Sequence, residues 1–234
     1  MSLVIERPQA ITIGVDGVSG RFPVNTLFCV GRNYADHAIE MGSDPSREPP
    51  FFFIKPSFAV CNGVDAMTYP QFSNDVHHEV ELVVALSRGG RSIRVEDAMS
   101  HVYGYCTGID MTRRDLQAQA KQQSRPWEAG KSFYQAAPCG DIKPIEQAGP
   151  MTQGSILLTL NGKVRQSGDI NQMIWKVPEI ISRLSELFVL TAGDLIFTGT
   201  PAGVGPILPG DDIEATIEGL APIKIGVSRN ITKQ

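Results

Sequence analysis

The sequence predicts a β-dominated α+β fold made of mixed sheets. Three observations lead there. The 23 Gly and 16 Pro among 234 residues demand many turns. Strand-like segments outnumber helical ones. The two kinds follow one another irregularly, without the strand–helix alternation of a doubly wound parallel sheet.

In chain order, "AITIGVDGVSGRFPV" reads as a hairpin with Asp16-Gly17 at its turn. "LFCVGRN" is a strand ending in a turn. "NYADHAIEMG" then reads as a short helix, with Asn33 suited to cap its start and Gly42 to end it. "SDPSREPP" is a loop and "FFFIKP" a strand. After Gly63 come further short strands and then "SNDVHHEVELVVAL", a strand running into the core. "RVEDAMSHV" is a helix. "YGYCTGIDM" is a strand that feeds "TRRDLQAQAKQ", where Thr112 and Asp115 have the spacing of a capping box. "GSILLTLNGKVRQSG" is a hairpin turning at Asn161-Gly162. "VPEIISRLSELFVL" is an amphipathic helix with Pro178 in its first turn and Val177, Ile181, Leu184 and Leu187/Phe188 on one face. The chain closes with a strand, a Gly/Pro loop and two more strands.

A chain of this length, 42% hydrophobic and 20% charged, can bury one sizeable core. The division expected is an N-terminal hairpin extension over residues 1–24 and a main unit over 25–234. The net charge of −4, with no basic run longer than Arg113-Arg114, argues against nucleic acid as a partner. The apolar runs fall well short of the ~20 residues of a membrane span. The first residues have neither the basic nor the hydrophobic segment of a secretory signal, so a cytoplasmic location is expected. Cys29, Cys61, Cys106 and Cys139 are widely spaced with no C-x-x-C pair, which fits reduced thiols acting as small buried hydrophobes.

Glu79 and Glu81 carry the first chemical signal. In a strand, residues i and i+2 share a face and lie about 6.6 Å apart. Two bare carboxylates at that distance repel by roughly 2–3 kcal/mol at an effective dielectric of 20. Three escapes exist: the face meets water at a sheet edge, a cation sits between the acids, or one acid is protonated. Asp110, at the junction of a strand and the next helix, offers a third carboxylate. Three acids without a Cys or a convincing His pair favour a hard cation, Mg²⁺ first, then Mn²⁺ or Ca²⁺. His77 and His78 suggest zinc only weakly, because neighbours in a strand point to opposite faces and at most one could join the glutamates. Neither is assigned to the metal, and at least one of them is expected only to orient the glutamates or line the entrance.

His37 and Glu40, spaced i, i+3 on the short helix, can touch. That arrangement suits a general base for water and equally an ordinary surface pair. Lys131 in "WEAGKSF" lies among small and aromatic residues.

Taken together, "CVGRNYADHAIEMG", "PPFFFIKP", "HHEVELVVAL", "GYCTGIDMTRRDLQ", "RPWEAGKSF" and "FTGTPAGVGP" resemble, in this order, the fumarylacetoacetate hydrolase family, in its acylpyruvate and fumarylpyruvate hydrolase branch. The resemblance spans roughly residues 25–220. It implies a β-roll of mixed sheets, usually a homodimer. It implies Glu79, Glu81 and Asp110 as ligands of Mg²⁺ or Mn²⁺, His37 and Glu40 as a water-activating dyad, and Lys131 near the reacting carbonyl. Arg114, Gln117 and Thr200, with Arg32 in the first motif, are implied as substrate contacts.

The substrate implied is a 2,4-dioxo acid whose 2-oxo and carboxylate oxygens meet the metal. Water activated by His37 attacks the 4-carbonyl and the bond between carbons 3 and 4 breaks. "GSDPSREPPFFFIKP" adds Arg47 and Lys55 near the dyad, and this segment resembles that of fumarylpyruvate hydrolases, which implies an acyl part carrying a second carboxylate. Two rivals share the scaffold or the composition. One is decarboxylation, tautomerisation or isomerisation of a 2-oxo acid such as oxaloacetate or a hydroxyheptadienedioate. The other is a non-catalytic Ca²⁺- or ligand-binding β domain. The loop "TGTPAGVGP" lacks the GK[ST] ending of a P-loop, so nucleotide is not expected.

Overall fold

The computed structural model describes residues 4–6, 9–40, 48–63 and 66–229. Gly42 and Arg47 lie outside the described residues. The chain opens with β1 (Thr12–Val15), β2 (Val18–Pro23) and β3 (Thr26–Gly31), then α1 (Ala35–Glu40) and β4 (Phe51–Pro56). β5 (Val60–Cys61), β6 (Ala66–Thr68), β7 (Val76–His78) and β8 (Val80–Leu86) lead to α2 (Val95–Ala98) and β9 (Val102–Ile109). β10 (Thr112–Arg113), α3 (Arg114–Gln122) and α4 (Glu128–Lys131) follow, then β11 (Ala137–Pro138), β12 (Lys143–Pro144) and α5 (Ile145–Ala148). The last part holds β13 (Ser155–Leu160), β14 (Lys163–Asp169), α6 (Val177–Leu187), β15 (Leu195–Phe197), β16 (Gly205–Ile207), β17 (Asp212–Ile217) and β18 (Ile223–Ser228).

The strands form a six-stranded mixed sheet, β12-β9-β8-β15-β3-β4, and a five-stranded one, β14-β13-β17-β18-β6. A three-stranded ribbon, β10-β7-β16, and two strand pairs complete the β structure. The apolar faces of the sheets meet in one continuous core that includes Leu82, Val84, Ile109, Ile156, Leu158, Phe197 and Ile213, each at most 2% exposed. All four cysteines are free and buried in it.

Both predicted hairpins form, with Gly17 and the Asn161-Gly162 pair at positive φ as their tight turns require. The first is built into the common core through Ile13, Val15 and Phe22. Asp16 N–H also donates to Ile142 O, and Ile142 N–H donates to Gly14 O.

Several local expectations are corrected. Asn33 does not cap α1: its side chain is fully buried, accepts from Trp175 N–H at 2.7 Å and donates to Trp175 O and Thr198 O. Tying three distant backbone groups outweighs a cap worth about 1 kcal/mol. Thr112 does not open a capping box either. It belongs to the bridging strand β10, while Asp115 accepts from Ser73 Oγ and Asn74 N–H and ties α3 to the loop before β7. α2 is one turn, continued by a 3₁₀ turn over Met99–His101. On α6, Val177, Ile181 and Leu184 are buried as expected, but Leu187 is 68% exposed and Phe188 turns in alone, packing on Phe28. The stretch 76–86 is two strands rather than one, broken at Glu79.

Candidate active site

That break lies at the heart of the site. β8 and β9 are antiparallel with Val80 opposite Ile109 and Glu81 opposite Gly108. This register sets Glu79, just before β8, beside Asp110, just after β9, and their backbones are joined by Asp110 N–H to Glu79 O at 2.8 Å. A sheet register thus closes a gap of 31 residues (110 − 79) into one three-carboxylate cage. The ligand atoms of Glu79, Glu81 and Asp110 lie within 4.8 Å of one another, and all three residues are at most 5% exposed. The solvated sheet edge, one of the three escapes for the glutamates, is therefore ruled out.

Cations surround two of the three acids. Lys131 Nζ donates to Glu79 Oε2 at 2.8 Å, Asp110 Oδ2 at 2.7 Å and Thr112 Oγ1 at 2.7 Å. Arg114 Nη2 donates to Glu79 Oε1 at 2.5 Å, and its Nη1 to Gln117 Oε1 at 2.7 Å. Lys55 Nζ lies 2.8 Å from Asp110 Oδ1 but spends its three N–H bonds on the carbonyls of Met111, Lys131 and Ala136. Asp110 Oδ1 is left as a buried oxygen with no aligned donor. Burial works against the charge of Glu79, yet Lys131 and Arg114 outweigh it and hold the carboxyl well below its ordinary range. Lys131, though buried, is held above the ordinary lysine range by Asp110 and Glu79. Among the described residues no cation pairs directly with Glu81: burial, then Asp110 and Glu79, push its carboxyl well up, against a hydrogen bond from Gly199 N–H at 2.7 Å and the more distant charge of Lys131. A buried carboxylate short of a counter-charge, next to an oxygen short of a donor, fits a hard divalent cation bound by oxygens.

The loop after β15 supplies the opposite wall. Gly199, at φ +97, brings its N–H onto Glu81; a Cβ there would stand 2.7 Å from that of Asn33. Gly203, at φ +95, donates its N–H to Glu40 at 3.1 and 3.2 Å, and a Cβ would meet Arg165 O at 2.1 Å. Glu40 in turn faces His37 Nδ1 at 3.2 Å. With Nδ1 donating to Glu40, His37 Nε2 carries the free lone pair, and His37 lines the same cleft as the cage.

The cleft encloses about 410 Å³, counted out to open solvent. The walls include Arg32, His37, Phe51, Phe53, the three acids, Arg114, Gln117, Lys121, Trp127, Lys131 and Thr200. Of the expected site residues all but Glu40 line it; Glu40 stands behind His37, to which it is paired. Arg32 lines it from the left-handed region, φ +57, where a long side chain costs about 1–3 kcal/mol.

Sequence reasoning missed five residues and misplaced others. Lys121, Trp127 and the two phenylalanines of "FFF" that line the cleft carried no signal of their own. Gln166, on β14, lies fully buried behind Thr200. Val80 N–H, an obligate donor, and Pro201 O, an obligate acceptor, fix the orientation of its amide, so Nε2–H donates to Thr200 Oγ1 at 2.7 Å. The Thr200 hydroxyl proton is then free for a ligand. Gln166 Oε1, which can only accept, also faces His78 Nδ1 at 2.9 Å, so Nδ1–H donates to it; burial depresses the basicity of His78. His77 Nε2 pairs with Asp75. Neither histidine touches the glutamates or lines the cleft, contrary to expectation, because both bond within the three-stranded ribbon or to the hairpin behind it. Lys55 is not beside the dyad; it is completely buried behind Asp110.

Residues 26–228 match the fumarylacetoacetate (FAA) hydrolase C-terminal family. The chain belongs to this family, and its fold is the family's arrangement of mixed sheets. The structure of fumarylpyruvate hydrolase from Pseudomonas aeruginosa, in complex with Mn²⁺ and pyruvate, is similar at a TM-score of 0.96 and 43% identity, over 98% of this chain and 100% of that one. Oxaloacetate tautomerase FAHD1, mitochondrial, of Mus musculus is 42% identical over 204 residues, covering 87% of this chain and 92% of the relative. Oxaloacetate decarboxylase, mitochondrial, of Dictyostelium discoideum is 40% identical over 195 residues, 83% of this chain and 89% of the relative. Among the described residues no helix is long and apolar enough to cross a membrane.

Proposed function

We propose that this chain is a divalent-metal-dependent hydrolase that cleaves a carbon–carbon bond of a 2,4-dioxo acid, fumarylpyruvate being the substrate that fits best. The observation that carries the reading is the His37–Glu40 pair, pinned by Gly203 N–H onto the rim of the same cleft whose floor is the acid cage. Glu79, Glu81 and Asp110 would hold the cation, Mg²⁺ or Mn²⁺, which supplies a Lewis acid for the negative charge of a bound 2-oxo acid. The Thr200 hydroxyl, its proton turned free by Gln166, and Gln117 orient the carboxylate end. His37 Nε2 takes a proton from water as the water oxygen bonds to carbon 4. Collapse of the tetrahedral adduct breaks the bond between carbons 3 and 4, leaving that electron pair on the pyruvate enolate. The proton held by His37 returns to carbon 3, giving pyruvate and fumarate. Lys131 has all three donors engaged by Glu79, Asp110 and Thr112, so its part is to hold those acids ionised and in register; stabilising a substrate oxygen would require it to release one of them.

A cytoplasmic homodimer, with residues 1–24 as an extension of a catalytic unit over 25–234, is part of the same reading. Light scattering on the purified protein checks the assembly. The second reading, tautomerisation or decarboxylation of oxaloacetate, is favoured by the mouse and Dictyostelium relatives and needs the cage without the dyad. Turnover of fumarylpyruvate in H₂¹⁸O separates the two. Hydrolysis puts one labelled oxygen into the fumarate carboxylate; with no cleavage of fumarylpyruvate and rapid turnover of oxaloacetate, the second reading replaces the first.

A further inference from the structure

α3 presents Arg114, Gln117 and Lys121, spaced three and four residues apart, to the cleft on one face. Arg114 touches Glu79, so its end of the helix belongs to the cage. Seven residues on, about 10 Å along the axis, stands Lys121. Its ammonium lies over the Trp127 ring, 5.0 Å from the centroid. Trp127 meets Phe51 edge-on at 5.2 Å, and Phe51 carries the Arg32 guanidinium at 5.6 Å. The rim far from the cage is thus a strip of aromatic surface with a cation at each end. Among the described residues neither cation has a carboxylate partner, whereas Lys131, Arg114 and Lys55 each have one. Lys121 is half-buried, and that burial, with Arg114 and Arg32 nearby, lowers its affinity for a proton.

We propose that Lys121, seated on Trp127 and assisted by Arg32, forms a second anion subsite that takes the distal carboxylate of a long 2-oxo diacid. The aromatic strip offers a flat apolar bed for the planar chain between the two ends. A four-carbon diacid such as oxaloacetate has its second carboxylate close to its first and does not reach the strip. The subsite selects a seven-carbon diacid over both the short diacid and the long monoacid. This rests on the reading that the 2-oxo acid end binds at the cage.

The test uses binding as well as turnover. The full-length protein loaded with Mn²⁺ is titrated calorimetrically with 2-oxoheptanedioate and with 2-oxoheptanoate, which lacks only the distal carboxylate. Wild type is expected to prefer the diacid by about tenfold, the worth of one charge-assisted hydrogen bond. Lys121→Met is expected to erase that preference while leaving the monoacid affinity unchanged, which also reports an intact fold; Lys121→Arg retains it. Equal affinities in wild type, or a preference that survives Lys121→Met, overturns the subsite and reduces Lys121 to packing on Trp127. If the monoacid fails to bind wild type, the placement of the 2-oxo end at the cage fails, and the subsite with it. If the diacid preference appears and depends on Lys121 while fumarylpyruvate is not cleaved, the hydrolase reading fails and the subsite stands.

Discussion

The acid cage and the His37–Glu40 pair face one cleft, but the fold secures them by different means. The cage grows from the adjoining ends of β8 and β9 in the middle of the largest sheet. Its acids are buried, joined through a backbone hydrogen bond, and enclosed by Lys55, Lys131 and Arg114. The pair sits on a six-residue helix and is tied to the opposite wall by the N–H of Gly203. Any chemistry of a 2-oxo acid that needs only a Lewis acid requires the cage alone. Activation of water requires both. On the proposed reading, the cage would set the substrate class and the pair would set the reaction.

The largest effect is expected at the cage. Asp110→Asn removes one ligand charge and leaves Lys55 and Lys131 undercompensated in the core. Turnover of every 2-oxo acid should fall by about a thousandfold or more. Stability in EDTA should fall by about 3 kcal/mol, as when a buried ion pair loses one member. Manganese titration and urea unfolding measure the two losses; retention of metal affinity would break the distinction between the two regions.

A smaller and more selective effect is expected at the tether. A methyl group on Gly203 meets Arg165 O, so Gly203→Ala must move the loop and release Glu40. Hydrolysis should drop by about tenfold, a part of the 10²–10⁴ that a placed general base contributes, while manganese affinity stays unchanged. Thr200→Val should act at about the same scale but on KM rather than kcat, since it removes a donor to bound substrate. Replacing Gln166 in that background should add little to KM.

The smallest effect is one of pH. Burial, with Asp110 and Glu79, raises the carboxyl of Glu81 in the folded protein. A carboxyl whose folded value lies above its unfolded one favours folding while protonated, and that support is lost as pH rises through the raised value. A divalent cation competes with that proton and takes its place. The gain in melting temperature on adding Mn²⁺ should therefore grow, by about a few degrees, as pH rises from the ordinary carboxylate range upward. A gain that shrinks with rising pH would mean that Glu81 is not a ligand.

The cage was legible in the sequence because period-2 spacing puts Glu79 and Glu81 on one face whatever surrounds the strand. Asp110 was legible as a strand-end acid, but its partner across the sheet was not, because register is a property of two strands. Asn33 and Thr112 misled for a shared reason: each resembles a helix cap locally and is used by a distant backbone or side chain instead. Gln166, Lys121 and Trp127 had no readable signal, since a glutamine on a hairpin or a lysine on a helix gains meaning only from what packs against it. At the end of α6 helical periodicity cannot choose between Leu187 and Phe188: the helix ends at Leu187, which stays outside, and the extended backbone of Phe188 turns that ring onto Phe28.

The relation between cage and pair is tested most directly by one ratio. Rates of fumarylpyruvate cleavage and of oxaloacetate tautomerisation are measured on Mn²⁺-loaded wild type and His37→Ala. Cleavage is expected to fall by about 10²–10⁴ in the variant, with tautomerisation retained within a few-fold. Equal loss of both activities, or cleavage that survives without His37, would contradict the assignment of the pair to water.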